Sequence, residues 1–135
     1  MYLLDTNILS RLVRKPPDPH LLEKLRQHAS DRLFTSCICV MELRHGAVRR
    51  RNHGNLWRRI EREILQRVEV LGIGTEEALV AGDVLAHLWS VGRTIDVEDV
   101  LIGATALSRG LTVVTNNVAH FGRIPDLSVE DWIAD

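Results

Sequence analysis

Three carboxylates lie far apart in this 135-residue chain, each where a core-forming segment begins, ends or is interrupted: Asp5, Glu42 and Asp99. Asp5 closes the apolar run Met1-Tyr2-Leu3-Leu4. Glu42 lies inside the largely apolar stretch from Cys37 to Val48. Asp99 opens Asp99-Val100-Leu101-Ile102-Gly103-Ala104-Thr105-Ala106. An ionised carboxylate is costly to bury without a partner. Three in such positions point to a shared partner, and a hard divalent cation such as Mg²⁺ or Mn²⁺, which prefers oxygen ligands, is the natural one. Each acid also has a plain structural alternative. Asp5-Thr6-Asn7 suits a helix N-cap, with N–H groups beside it that could also receive a phosphate. Glu42 could pair with Arg44 or Arg49 on the surface. Asp99 shares a helical face with Asp96, and acids at a helix N-terminus are favoured by the dipole.

The elements that must position these residues alternate in type. Met1 to Leu4 reads as a short buried strand. Asn7 to Val13 reads as a helix, stopped by Pro16-Pro17-Asp18-Pro19. A second helix follows, with Leu21, Leu22 and Leu25 on one side. Leu33-Phe34-Thr35 is a strand, and Ser36 an N-cap for the helix carrying Val40, Met41, Leu43 and Ala47. After a break at Asn52 to Gly54, Leu56, Ile60 and Ile64 form an apolar stripe. Val68, Val70 and Leu71 form a strand. Thr75-Glu76-Glu77 caps a long helix with Ala78, Ala81, Leu85 and Leu88 expected inward. Asp96 is expected to cap the helix from Val97 to Ser108, with Asp99 completing a capping box, and Gly110 ends it. Leu111 to Thr115 is a strand, and Leu127 to Trp132 an edge strand. This alternation predicts one α/β domain over 1–135 with a mainly parallel sheet. In such sheets sites form beyond the carboxyl ends of the strands, where Asp5 and Thr115-Asn116-Asn117 fall.

Bulk properties exclude little. The length suits one domain with a real core. No apolar run approaches the roughly 20 residues of a membrane span, and the N-terminus lacks a basic-then-apolar leader. A cytoplasmic location and no membrane partner are expected. Cys37 and Cys39 have no second Cys or His pair at zinc spacing and read as buried small hydrophobes. The six histidines show no paired spacing; His45 and His120 lie near the motifs and are expected to pack or support. Net charge is −1, but only two basic residues are Lys. Eight arginines fall between Arg44 and Arg67, opposed there by Glu61 and Glu63. Arginine forks suit phosphates; a solvated helix with ion pairs such as Arg59 to Glu63 is the plain alternative.

Four stretches together resemble the PIN-domain ribonucleases, in particular the VapC toxins of toxin–antitoxin pairs. They are Leu3-Leu4-Asp5-Thr6-Asn7, Met41-Glu42-Leu43-Arg44-His45-Gly46, the Asp99 to Ala106 run, and Val113 to Phe121 continuing through Arg123-Ile124-Pro125 to Glu130-Asp131-Trp132. The resemblance covers almost the whole chain, in order. It implies a PIN-like α/β/α fold, a mainly parallel sheet flanked by helices. It implies a Mg²⁺ site, with Mn²⁺ possible, ligated by Asp5, Asp99 and Glu42. Asn117 falls at a fourth catalytic position, where many PIN domains carry Asp, so a second metal is the less secure part. Thr6, Asn7, Asp96, Thr115 and Asn116 are expected to support the ligands or position phosphate, with Asp96 favoured as a cap. Arg44, Arg49, Arg50 and Arg51 are the chosen RNA contacts.

The implied activity is Mg²⁺-dependent endoribonuclease cleavage leaving 5′-phosphate and 3′-hydroxyl ends, inhibiting translation. tRNA is the leading substrate class and initiator tRNA the preferred member. The resemblance also implies a VapB-like antitoxin partner, a homodimer and a toxin–antitoxin hetero-oligomer. Ile8, Leu9, Leu12, Val13, Leu56, Trp57 and Ile60 are candidate contacts, with core packing the alternative for each. Two rivals remain: a catalytically weak PIN-fold or RNA-binding module acting through a partner, and another Mg²⁺ phosphotransferase. The chain lacks a Gly-rich phosphate loop, and Asp5-Thr6-Asn7 is not the Asp-x-Asp that a haloacid-dehalogenase-like enzyme would carry.

Overall fold

The computed structural model describes residues 1–133. Five short strands form one sheet: β1 (Tyr2–Leu4), β2 (Leu33–Ser36), β3 (Glu69–Leu71), β4 (Thr112–Val114) and β5 (Val129–Glu130), in the order β3-β2-β1-β4-β5. Every pairing is parallel, so the sheet goes beyond the mainly parallel expectation. Helices cover it: α1 (Thr6–Val13), α2 (Pro19–Gln27), α3 (Cys37–Val48), α4 (His53–Ile60), α5 (Thr75–Ser90), α6 (Val97–Arg109) and α7 (Val118–Phe121). The α4 helix widens into a π-turn at Glu61–Leu65. The architecture is α/β/α.

The central strands explain themselves. Leu3, Leu4, Val113 and Val114 are fully buried. A parallel strand covered on both faces needs such a continuous apolar run rather than an alternating one. The chain leaves β1 for β2 and β3 on one side and returns to β4 and β5 on the other. The switch point therefore lies between β1 and β4, beyond Leu4 and Val114. Asp5 sits there, its N–H donating to the Val114 carbonyl at 2.9 Å.

Local signals work at several helix ends. Ser36 accepts from the Ile38 N–H at 3.0 Å. Gly110 ends α6 at φ +66°, a conformation glycine adopts at little cost. The fully buried side of α6 includes Val100, Ile102, Ala104, Thr105 and Ala106. A Cβ at Gly103 would come 2.5 Å from Ile124 Cδ1, so glycine lets this helix close on the segment after α7.

Some expectations need correction. On α5, Ala81, Val84 and Leu88 face inward, whereas Ala78 and Leu85 are exposed. That helix is apolar around much of its girth, so its sequence names no single stripe. Arg59 does not pair with Glu63: it donates to the Val13 carbonyl at the end of α1, and Glu63 lies 3.7 Å from Arg62. Ile8, Leu9, Val13 and Ile60 belong to the core, and Ile8 and Leu9 have no surface to offer a partner. Among the described residues no helix is long and apolar enough to cross a membrane.

Candidate active site

Asp5 stands at the switch point, buried, at the N-cap of α1. Its Oδ1 accepts from the Thr6 N–H at 2.8 Å. Its Oδ2 accepts from the Thr115 hydroxyl at 2.8 Å and the Asn7 amide at 3.2 Å. The capping alternative is thus real, and it also fixes both oxygens in space. Burial pushes the Asp5 carboxyl above its usual range, against the lowering effect of the Thr115 and Thr6 hydrogen bonds.

Two threonines orient two acids. The Thr6 hydroxyl donates to Glu42 Oε1 at 2.7 Å. A hydroxyl has one proton to give, so Thr6 and Thr115 spend theirs on carboxylates and present only lone pairs to anything else. Thr115 uses its own in accepting from the Asn117 N–H at 2.9 Å. Asn7 ties the corner together: its amide reaches Asp5 and Thr115, and its Oδ1 accepts from the Asn116 N–H at 3.2 Å. Side chains and backbone from the two sides of the switch point are thereby locked into one frame.

Asp99 reaches the same frame from the first turn of α6. Its pKa is pushed up to about 6, chiefly by burial and then by the charges of Asp5, Glu42 and Asp96, with His120 opposing. Like charges converging on a half-buried carboxyl are what a cation would relieve. Asp96 occupies the N-cap position of α6 but is exposed, and its side chain makes no capping hydrogen bond. Its role as a cap therefore fails, and its negative charge adds to the field on Asp99. Asn117 turns its amide toward His120, whose Nδ1 lies 2.9 Å away and itself sits 3.7 Å from Asp99 Oδ2. The fourth position therefore acts on this frame through His120.

Cys39 is the unforeseen neighbour. Ligand atoms of Asp5, Cys39 and Glu42 lie within 4.8 Å of one another, forming a candidate metal-binding cluster. Its Sγ sits 4.0 Å from Asp5 Oδ1. Burial pushes its thiol up to about 11, and sulfur is a soft donor that a hard cation such as Mg²⁺ does not favour. Asp5 and Glu42 supply the hard oxygen donors of this group; Asp99 lies outside it and feels both through their charges. Residue type and spacing alone carried no sign of Cys39, because its contact with Asp5 spans 34 positions.

The arginines separate in the fold. Arg44 stacks over the Trp57 ring at 4.9 Å. Arg49 and Arg51 are exposed. Arg50 lines a cleft of about 390 Å³ beside Glu42, together with Arg14, Lys15 and Arg59. These last three cations lie outside the expected patch and come from the end of α1 and from α4.

Known proteins place this geometry. The family model described as the PIN domain matches residues 2–127. The tRNA(fMet)-specific endonuclease VapC of Salmonella typhimurium is 36% identical over 135 residues, covering 97% of each chain. The crystal structure of DNA-bound VapBC from Salmonella typhimurium superposes with a TM-score of 0.89 at 35% identity, covering 97% of each chain. VapBC2 from Rickettsia felis, bound to a DNA fragment from its promoter, matches with a TM-score of 0.89 at 29% identity, over 97% of this chain and 98% of that one.

Proposed function

Because the chain belongs to the PIN-domain family, as a VapC-type ribonuclease toxin of a VapBC toxin–antitoxin pair, we propose that Asp5, Glu42 and Asp99 form a Mg²⁺-dependent endoribonuclease site. One observation carries the reading. Asp5 and Glu42, from distant parts of the chain, bring carboxylate oxygens within 4.8 Å of each other at the strand ends, and Asp99 is pushed up to about 6 chiefly by burial and then by the charges of Asp5, Glu42 and Asp96.

Asp5, Glu42 and Asp99 would hold the divalent cation, which would supply water activation and charge neutralisation for phosphodiester hydrolysis. The protein's own groups do the rest. The Thr6 and Thr115 hydroxyls hold Glu42 and Asp5 in fixed rotamers. Asn7 couples that frame to the loop at Asn116. Burial keeps water from screening the acids. Asn117 holds His120, which stands beside Asp99. Such outer partners typically matter 10- to 100-fold in metal affinity or activity, as an order-of-magnitude guide.

The substrate is RNA, and tRNA the favoured class, because single-stranded loops expose bases and backbone to a shallow site. Initiator tRNA is the preferred member, given whole-chain similarity to a relative named for it. Arg44, Arg49, Arg50 and Arg51 guide the backbone. A VapB-like antitoxin binds the chain and blocks its activity, and the toxin works as a homodimer in a larger assembly in the cytoplasm. Incubation of the purified chain with end-labelled tRNAs tests this. Cleavage with Mg²⁺, none with EDTA and none for Asp5→Ala is the expected result, with 5′-phosphate and 3′-hydroxyl ends. Cleavage that survives EDTA would sink the mechanism. RNA binding without cleavage under any metal would favour a binding module.

A further inference from the structure

The cleft beside Glu42 has a charge pattern that the metal site does not use. Its cationic lining is Arg14, Lys15, Arg50 and Arg59, and Glu42 is its one acid. Glu42 is already engaged by Thr6 and faces Asp5. Arg14 has a carboxylate nearby, Asp18 Oδ2 at 3.6 Å, but Arg11 approaches the same oxygen at 3.1 Å. Asp18 also accepts from the His20 and Leu21 N–H groups. One acid is thus shared by two guanidiniums and a helix start. Arg59 gives one nitrogen to the Val13 carbonyl, while its buried Nε has no hydrogen-bond partner among the described residues. Four cations share the cleft with one acid that Thr6 already engages, and an anion would relieve their mutual repulsion.

We propose that this cleft is a phosphate subsite for the nucleotide next to the cleaved bond, formed by Arg14, Lys15, Arg50 and Arg59. The proposal rests on the RNase reading of the acidic site. Glu42 lines both compartments, so a strand whose reactive phosphate lies over Asp5, Glu42 and Asp99 runs directly into the cleft. A volume of about 390 Å³ fits a phosphate with its sugar. Arginine forks engage phosphate oxygens in pairs. The subsite offsets the repulsion that three carboxylates exert on an incoming polyanion. It overlaps the patch read off the sequence at Arg50 and adds Arg14, Lys15 and Arg59.

The test is binding of a fluorescein-labelled single-stranded RNA oligonucleotide in EDTA, followed by anisotropy across a KCl series. Lys15 and Arg50 are exposed, so Lys15→Ala/Arg50→Ala should fold, and its melting curve checks this. Loss of two phosphate contacts lowers the slope of log K against log salt by about 1.4, at about 0.7 per contact for a single strand, and weakens binding on the order of tenfold at low salt. Lys15→Arg and Arg50→Lys retain the slope. Arg32→Ala, at the opposite end of the sheet, leaves it unchanged. An unaltered slope in the double variant overturns the subsite. An unaltered slope combined with lost antitoxin binding overturns it in favour of an acidic protein ligand. Cleavage assays of the wild-type chain on the same RNA separate the two ideas. A slope that drops in a chain that never cleaves keeps the subsite and rejects the nuclease. Cleavage with an unchanged slope does the reverse.

Discussion

Where the strands begin, Arg32 lies 3.0 Å from Glu69 and stacks over Phe34, and Arg109 lies 3.7 Å from Glu77. Glu77 is buried, and it accepts from the Gly74 N–H that starts α5. Where the strands finish, Asp5 and Glu42 lie together, Asp99 is raised by the charges of both, and the cations gather in a cleft to one side. Charge is paired locally at the first end and segregated at the second. Pairing costs least when folding is the only demand. Segregation raises the energy of the free protein and leaves it ready for a cation and a polyanion. The same contrast separates Glu77 from Asp99: both begin helices, yet one completes a cap and the other is pushed toward neutrality.

The largest expected break in this contrast is Asp5→Asn. It keeps the shape, removes one charge from the acidic end, and replaces one accepting oxygen with an NH2 donor. RNA cleavage should fall by more than the roughly hundredfold that outer partners of a metal site account for. Arg32→Ala, at the paired end, should leave cleavage within about twofold by the same comparison of remote with ligating groups. Initial rates on a labelled tRNA decide it. Comparable losses in both variants would mean that the two ends do not differ in the way their charges are arranged.

Thr115→Val comes next. Valine matches threonine in size but strips the donor from Asp5 and the acceptor from the Asn117 N–H. Metal affinity should drop by about 10- to 100-fold. Isothermal titration with Mn²⁺ measures this directly. An unchanged affinity would show that Asp5 is held well enough by Thr6 and Asn7 alone.

Much of this was legible before any coordinates, for physical reasons that can be named. The apolar runs at Leu3-Leu4 and Val113-Val114 announce buried parallel strands, and Ser36 and Gly110 announce helix ends, because these signals are local. Asp5 and Asp99 stand out because a charge leading into or out of a core run is itself anomalous. The contacts that stayed hidden are long-range. Cys39 against Asp5, and Arg59 on the Val13 carbonyl, span 34 and 46 positions. No spacing rule reports on such pairs. Asp96 failed in the other direction: a residue type that favours N-caps sits at the N-cap without bonding there. The faces of α5 were misjudged at Ala78 and Leu85 because alanine and leucine around the whole helix leave periodicity little to resolve.

The acidic end should also betray itself in stability. Asp99 titrates at about 6 in the folded chain against 3.8 for a free carboxyl. Between those values the native state binds more protons than the unfolded state. Stability of the metal-free protein therefore falls as pH rises through that window and levels off above it. Asp5, also raised, acts in the same direction. Asp18 acts in the opposite one: the Leu21 N–H, with Arg11 and the His20 N–H, holds it low despite burial, so its contribution is lost only in stronger acid. The melting temperature in EDTA should rise from pH 7 to pH 5. Asp99→Asn should flatten that rise, and saturating Mg²⁺ at pH 7 should recover much of it. A melting temperature that instead climbs with pH would mean that Asp99 is already compensated.

The smallest effect belongs to the paired end. Arg32 and Glu69 are both largely exposed, at 65% and 57% of their side-chain surface. Water screens such a pair, and ordering two long side chains offsets most of its attraction. Arg32→Ala and Glu69→Gln, alone and combined, should give a coupling within about 0–1 kcal/mol by urea unfolding. Arg32→Ala carries an extra loss from its stack on Phe34, which the double-mutant cycle subtracts. Raising salt to 1 M should shrink the coupling further, since the Debye length drops to about 3 Å. A coupling near 3 kcal/mol that persists in high salt would mean that the strand-starting end also holds charge against its solvation. The distinction between structural pairing and functional segregation would then have to be drawn from Asp99 and Glu42 alone.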